Sequence, residues 1–357
     1  MDLSIIRERL EAREEELSVY AVRSARCRGR KRPEPPSPVR TEFQRDRDRV
    51  IHTNAFRRLK HKSQVFIAPL GDHYVTRLTH VIEVQQVGRT IARALNLNED
   101  LVEAAALGHD LGHTPFGHIG EAALDHWLPG GFHHSRHSVR IIETLEKDGA
   151  GLNLTQEVVE AIRHHSKPQG DFLDAASVSH LTLEAQIVRL ADALAYLTHD
   201  IGDALRSESL KLGDLPQGTT AALGETHGQH VDTLVRDVVQ ASWDCTGEVP
   251  ARDGRPWIRM SPHLRDVTTG LREFMFKNFY LTISQSREGK RAQDIVELLL
   301  DHYSKRPDRL PPRLLALSGS ATQAAADWVC GMTDNYALAR AEEIRPGISE
   351  GVFQGRV

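Results

Sequence analysis

The stretch TLEAQIVRLADALAYLTHDIGDAL, residues 182–205, decides the fold. Ile187, Leu190, Ala191, Leu194, Leu197 and Ile201 recur at the three- and four-residue steps that line one face of a long helix. Asp192, Tyr196 and Asp200 follow one another at steps of four and form a separate polar stripe. Such a stripe can simply face solvent. A solvent face ordinarily carries Lys or Glu, however, and this one has neither. An acid at Asp192 is well suited to a hard or borderline divalent cation.

Outward from this helix the pattern stays helical from residue 41 onward, and long alternating β-branched runs are absent. Residues 75–95 read as one helix, with Val84, Val87 and Ile91 in a stripe. Asn98 suits an N-cap, with Glu99 and Asp100 in the first turn and Gly112 as a stop. Thr114-Pro115 supplies a cap and a first-turn proline for a helix running to Trp127. Further helices are expected over 136–147, 155–165, 228–242, 262–281, 291–304 and 320–342. Residues 206–225, rich in Gly, Thr and Pro, read as a loop, and Arg252-Asp253-Gly254-Arg255-Pro256 as a turn. The expected fold is all-α: a metal-site core over 41–206, then a C-terminal helical half over 207–357. Residues 1–40 read as an extended arm. Its basic run, Arg23, Arg26, Arg28, Arg30, Lys31 and Arg32, precedes Pro33, Pro35, Pro36 and Pro38. The arm is either a solvated tail or a contact for a neighbouring subunit or a polyanion such as single-stranded nucleic acid.

Composition narrows the function classes. An apolar fraction of 40% and a charged fraction of 26% fit a globular protein. No apolar run approaches the roughly 18 residues of a membrane span, and Met1 to Glu16 is too charged for a signal core. Cys27, Cys245 and Cys330 are far apart, which argues against a disulfide framework and suits the cytoplasm. A net charge of -4 gives no general pull toward nucleic acid.

Histidine is the unusual residue: there are 19, and seven of them lie between positions 109 and 137. His80 shares a helical face with Val84, Val87 and Ile91 and points inward with them. Taken alone, it reads as a core histidine satisfied by a hydrogen bond. His109-Asp110 falls where the helix begun at Asn98 ends, so adjacent ligands can meet one cation there. Two imidazoles and two carboxylates suit Mn, Fe, Ni, Co, Mg or Zn. On the next helix His118, Glu121 and Asp125 share a face. They are either a surface polar cluster or a unit in which Glu121 orients His118 and raises its basicity.

The order His80, His109-Asp110, Asp192 resembles the H…HD…D signature of the HD phosphohydrolase superfamily. Further blocks resemble its bacterial deoxyguanosinetriphosphate triphosphohydrolase-like group. These are VRTEFQRDRDRVIHTNAFRRLKHKSQVF (39–66), DHYVTRLTHVIEV (72–84), ALGHDLGHTPFGHIGE (106–121), GGFHHSRHSVRIIETLE (130–146), VRLADALAYLTHDIGDALR (188–206) and DWVCGMTDNYAL (327–338). The resemblance implies His80, His109, Asp110 and Asp192 as metal ligands and His118 and Glu121 as a catalytic pair. His134, rather than its neighbour His133, matches the histidine near the scissile phosphate. It also implies Arg77 and His113 as phosphate contacts, the latter as in the eukaryotic relative with a sterile alpha motif. Gln64, Tyr196 and Asp200 would surround the deoxyribose. Ser135 and His137 depart from the Asn and Gln usual in the 133–138 block, and no sterile-alpha-motif domain is expected before the core.

What this implies is a metal-dependent dNTP triphosphohydrolase that releases tripolyphosphate and a deoxynucleoside. His118 or His134 would protonate the departing oxygen, and lysines such as Lys60 or Lys62 would help offset the triphosphate charge. The metal would be Mn2+, Mg2+, Fe2+, Co2+ or Ni2+, with an extra Mg2+ arriving on the nucleotide. A homo-oligomer and a dNTP effector are further implications. Two other readings remain open from the sequence. One is a nucleotidase or cyclic phosphodiesterase of the same superfamily, in which His164-His165 could ligate a second metal. The other is a non-enzymatic binder of nucleotides or single-stranded nucleic acid.

Overall fold

The computed structural model describes residues 2–67, 74–166, 175–251 and 254–353. Its helices begin with α1 (Ser4–Glu14), α2 (Glu42–Ile51), α3 (Asn54–Arg58), α4 (Arg77–Ala94), α5 (Glu99–Gly108) and α6 (Gly117–Trp127). There follow α7 (His134–Arg140), α8 (Gln156–His164), α9 (Ala175–Val178), α10 (Leu183–Arg206), α11 (Thr219–Leu223) and α12 (His227–Ala241). The last are α13 (Pro262–Met275), α14 (Leu281–Gln285), α15 (Arg287–Lys305), α16 (Pro312–Ser318), α17 (Ala321–Cys330) and α18 (Asp334–Ile344). The fold is all-α, as the sequence led one to expect. Among the described residues there is no β-strand, only isolated bridges pairing Arg30 with Thr155 and Ser63 with Thr76. No helix among them is long and apolar enough to cross a membrane.

Side-chain caps fix several helix starts. The Asn98 side chain accepts from the N–H groups of Asp100 and Leu101, satisfying donors that α5 itself leaves open. Thr182 does the same for α10 through Ala185, and Ser286 for α15 through Gly289.

The chain divides into two compact units interleaved along the sequence. The first comprises Met1–Ile51, Val81–His109 and Asn153–Met275. The second comprises His52–His80, Asp110–Leu152 and Phe276–Val357.

In the first unit α10 packs against α5, α8 and α12, and α2 packs on α5. Ile187, Leu190, Ala191, Leu194, Leu197 and Ile201 are all buried, and each large aliphatic side chain so buried contributes about 1.5–3 kcal/mol. The polar stripe of α10 is no solvent face: Asp200 is buried, and Asp192 and Tyr196 are half-buried. Gly88 on α4 allows close approach, since a Cβ there would meet Val102 Cγ1 at 2.8 Å. The N-terminal residues read as extended contain α1, and four arginines of the basic run are engaged within the unit. Arg28 pairs with Glu157 and Glu160, Arg30 with Glu42 and Asp46, and Arg26 with Glu15. Arg23 donates to the carbonyls of Leu17, Ser18 and Ala21.

In the second unit α15 packs against α6, α17 and α18. Leu124 of α6, Ile295 and Leu299 of α15, Val329 of α17 and Leu338 of α18 share one apolar core. The helix carrying His118 and Glu121 is thus built on the C-terminal residues of the chain.

Several boundaries differ from the sequence reading. Helix α5 ends at Gly108, before Gly112. Helix α6 starts at Gly117, after Phe116 in the left-handed conformation, and the Thr114 hydroxyl donates to the Gly117 carbonyl and does not cap. Helix α7 gives way to a π-turn over Ile141–Leu145, and α13 continues into another over Phe276–Tyr280. The helix expected over 320–342 is two helices, because Thr333 caps a new start by accepting from the Tyr336 N–H. The stretch 206–225 contains α11, and α16 had no counterpart in the reading. The turn expected at Arg252–Pro256 includes Arg252 and Asp253, which lie outside the described residues.

Candidate active site

In the second unit the first turn of α4 and the chain that follows α5 bring together Arg77, His80, Asp110 and His113. Arg77 Nη1 donates to Asp110 Oδ2 at 2.6 Å, and both side chains are buried. His80 Nε2 lies 4.0 Å from Asp110 Oδ2, and His113 Nε2 lies 3.6 Å from Asp110 Oδ1. The turn reaches α7 closely: a Cβ on Gly112 would meet the Ser138 nitrogen at 2.2 Å, so only glycine fits. Gln64 is buried beside Arg77, whose Nη2 reaches the Gln64 carbonyl at 3.5 Å.

The second half of this cluster centres on Glu121. Its Oε2 is 3.0 Å from His118 Nδ1, and its Oε1 is 2.7 Å from His134 Nδ1. Oε1 also accepts from the His134 backbone N–H at 2.8 Å. Burial works to raise the Glu121 carboxyl, but His134 and then His118 outweigh it and hold it well below the usual carboxylate range. An ionised carboxylate only accepts, so both Nδ1 atoms carry protons and the Nε2 atoms face elsewhere. Burial disfavours a charged His134, yet Glu121 outweighs burial and raises its pKa. The His113 ring stacks on His134 with centroids 4.2 Å apart. Burial, then the charge of Arg77, pushes His113 well below the ordinary histidine value, so it is neutral. His133 turns instead to Ser135, whose N–H it accepts as the cap of α7.

In the first unit His109 Nε2 lies 3.8 Å from Asp192 Oδ1. His109 Nδ1 is 2.6 Å from the Ala106 carbonyl, which can only accept, so Nδ1 carries the proton and Nε2 has the lone pair that could meet a cation. Tyr196 meets the His199 ring edge-on at 6.0 Å, and Asp200 Oδ1 is 2.7 Å from His199 Nδ1.

Two expectations are corrected. Lys62 is buried and donates to the carbonyls of His113 and Cys330, so it supports the turn at His113 and does not present a free ammonium. Burial pulls its pKa down to about 8. The pair His164-His165 does not converge on one point. His165 packs edge-on against His109 at 4.8 Å, whereas His164 faces His180 at 5.1 Å. Sequence reasoning also missed the Arg77–Asp110 pair and the second partner of Glu121. A step of three signals His118–Glu121, but nothing local signals a bond from Glu121 to His134, 13 residues away.

The donor chemistry fits a divalent cation. Ligands that each sit about 2.0–2.2 Å from one ion are at most about twice that apart. The His80–Asp110 and His109–Asp192 separations of 4.0 and 3.8 Å fall within that span. His109 and Asp110 are joined by a peptide bond, so the two pairs are covalent neighbours.

Residues 77–197 match the model of the HD domain, and residues 258–343 that of the phosphohydrolase-associated domain. The helical fold, the His/Asp cluster and these matches define an HD-domain phosphohydrolase. More narrowly, the chain belongs to the deoxyguanosinetriphosphate triphosphohydrolase-like family. It is 47% identical to a protein so named from Caldanaerobacter subterraneus subsp. tengcongensis, over 94% of this chain and 95% of that one. A relative of the same name from Desulfatibacillum aliphaticivorans is also 47% identical, over 95% of this chain and 97% of that one. One from Clostridium perfringens is 44% identical, over 86% and 88%. Among solved structures, a hypothetical protein from Aquifex aeolicus shares the fold, with a TM-score of 0.50 and 17% identity over 87% of this chain and 71% of that one.

Proposed function

We propose that this hydrolase cleaves deoxynucleoside triphosphates to a deoxynucleoside and tripolyphosphate. Kinship over nearly the whole chain with proteins named deoxyguanosinetriphosphate triphosphohydrolase-like supports the reading. His80, His109, Asp110 and Asp192 hold one divalent ion, Mn2+, Mg2+, Fe2+, Co2+ or Ni2+. When bound, it supplies Lewis acidity toward a phosphate oxygen.

The remaining work falls to the chain's own side chains. Water adds to the α-phosphorus, and the bond from phosphorus to the 5′ oxygen breaks. Glu121 fixes the rings of His118 and His134 through their Nδ1 atoms. Their Nε2 atoms are left to orient the water and to protonate the departing 5′ oxygen. His134, buried and held on Glu121, is the better placed acid, and the more exposed His118 faces the water.

Arg77 Nε, Gln64 Oε1 and His113 Nδ1 are buried polar atoms without a hydrogen-bond partner among the described residues. A bound substrate relieves that cost. Arg77 and His113 meet the phosphates, and Gln64 with Asp200 meets the 3′-hydroxyl. Tyr196 packs on the bare 2′ carbon, where a ribose hydroxyl would be buried without a partner.

Each dNTP and NTP, alone and in mixtures, with Mn2+ or Mg2+ and after chelation, tests the reading by product chromatography. Tripolyphosphate from dNTPs, lost on chelation and restored by metal, supports it. Orthophosphate from monophosphates favours a nucleotidase.

A further inference from the structure

We propose that Asp334, in the phosphohydrolase-associated region, is a positioning residue for hydrolysis: its carboxylate holds the start of α6 and the segment that anchors Arg77. The inference rests on the hydrolase reading above.

Asp334 is the first residue of α18 and is 3% exposed. Its Oδ1 accepts the Phe116 N–H at 2.9 Å. Its Oδ2 accepts the Ser63 N–H at 2.9 Å and the Ser63 hydroxyl. Both oxygens are therefore committed, and both go to residues that touch the reactive cluster through the backbone.

Phe116 is the residue immediately before α6, with φ 60° and ψ 24°. That left-handed conformation is unfavourable for a side chain with a Cβ, so something must hold it. Its N–H faces Asp334, and its geometry sets the entry of the helix that carries His118 two residues on and Glu121 five residues on. On the other oxygen, Ser63 is bridged antiparallel to Thr76, and the adjacent Lys62 carbonyl accepts the Arg77 N–H at 3.1 Å. A second tie runs parallel. Lys62 Nζ bonds the carbonyls of His113 and Cys330, and Cys330 Sγ lies 3.1 Å from the Gly112 carbonyl. Asp334 is thus one hydrogen bond from the backbone that opens the helix bearing His118 and Glu121, and one from Ser63, whose neighbour Lys62 holds the Arg77 N–H. Asparagine at this position would keep one acceptor but turn an amide N–H2 toward donors. A displacement near 1 Å in such a network costs about 10²-fold in rate.

The test compares wild type, Asp334→Asn, Ser63→Ala, His118→Ala and the double variant Asp334→Asn/His118→Ala, all metal-loaded and checked by melting and metal content. Expected for Asp334→Asn is a kcat about 10- to 100-fold lower, with KM within about threefold and metal retained. Ser63→Ala should show the same split with a smaller loss, and it serves if Asp334→Asn does not fold. Because Asp334 acts in part through α6, the double variant should be slower than His118→Ala by less than the full Asp334→Asn loss. Imidazole nitrogen resonances of His118 and His134 should also shift in Asp334→Asn, a readout that needs no turnover. Unchanged kcat and unchanged resonances would overturn the proposal, as would losses that multiply in the double variant. Wild type that cleaves no dNTP would instead overturn the functional reading, and the resonances would still decide the role of Asp334.

Discussion

Arg77 and Asp110 form a buried ion pair, with Nη1 donating to Oδ2 at 2.6 Å. In the proposed reading Asp110 meets a guanidinium in the protein alone and a guanidinium plus a metal ion when loaded. Removing one partner of a buried pair typically costs about 3–5 kcal/mol, because the other charge is left uncompensated. Arg77→Met should therefore destabilise the metal-free protein strongly and the metal-loaded protein less, since the ion offsets Asp110. Melting curves with and without metal check this. Equal destabilisation in both forms would mean that Asp110 does not face the ion.

Glu121 should matter to turnover and not to metal. Glu121→Gln keeps the shape of the side chain but presents an N–H2 group to one of two rings that both need an acceptor. A kcat lower by about 10²–10⁴-fold with unchanged metal content is expected. Elemental analysis beside steady-state kinetics separates the two effects. Near-normal turnover would reduce Glu121 to a structural link.

Sugar choice should depend on Tyr196. Burying a hydroxyl without a partner costs roughly 1–3 kcal/mol, about 5- to 150-fold in specificity. Wild type should prefer dGTP to GTP by at least roughly tenfold, within that range. Tyr196→Ala, which admits water at the 2′ position, should narrow the gap several-fold. Competition between dGTP and GTP measures it. An unchanged ratio in Tyr196→Ala would remove the ring from the sugar site.

Much of this was legible in the sequence where the signal is local. Helix α10 shows itself through its apolar period, and α5 through Asn98 and the acids that follow it. The start of α6 was not legible. Its entry is set by a bond from Phe116 to Asp334, 218 residues away, and no local pattern encodes such a partner. The same holds for Lys62, which looks like a phosphate-binding lysine until Cys330, 268 residues on, supplies a carbonyl for it. The break at Thr333 was hidden because 320–342 keeps a helical composition on both sides of a capping threonine. Residue types at the candidate site were visible through spacing and family resemblance. Their hydrogen-bond partners were not, because these come from other parts of the chain.

Stability should carry the mark of Glu184. It is fully buried on α10, accepts from the N–H groups of Val22 and Asn98, and burial pushes its pKa up to about 7 from 4.5. The folded state then binds more protons than the unfolded state between those values, so stability falls as pH rises from about 4.5 to about 7 and levels off above. The total is on the order of 3 kcal/mol, because each tenfold change in proton affinity is worth about 1.4 kcal/mol. Glu184→Gln, neutral at every pH, should flatten that slope and be at least as stable as wild type above pH 7. Denaturant melts from pH 4 to 9 measure it, and an unaltered slope in the variant would assign the pH dependence to other groups.

The most direct measurement is hydrolysis of dGTP by the metal-loaded protein in ¹⁸O-water, with mass analysis of both products. Attack at the α-phosphorus places the label in tripolyphosphate and leaves the deoxynucleoside with its own 5′ oxygen. Labelled tripolyphosphate and unlabelled deoxyguanosine are the expected result. Labelled orthophosphate or pyrophosphate beside a deoxynucleotide, or no cleavage of any dNTP in any mixture, would contradict it.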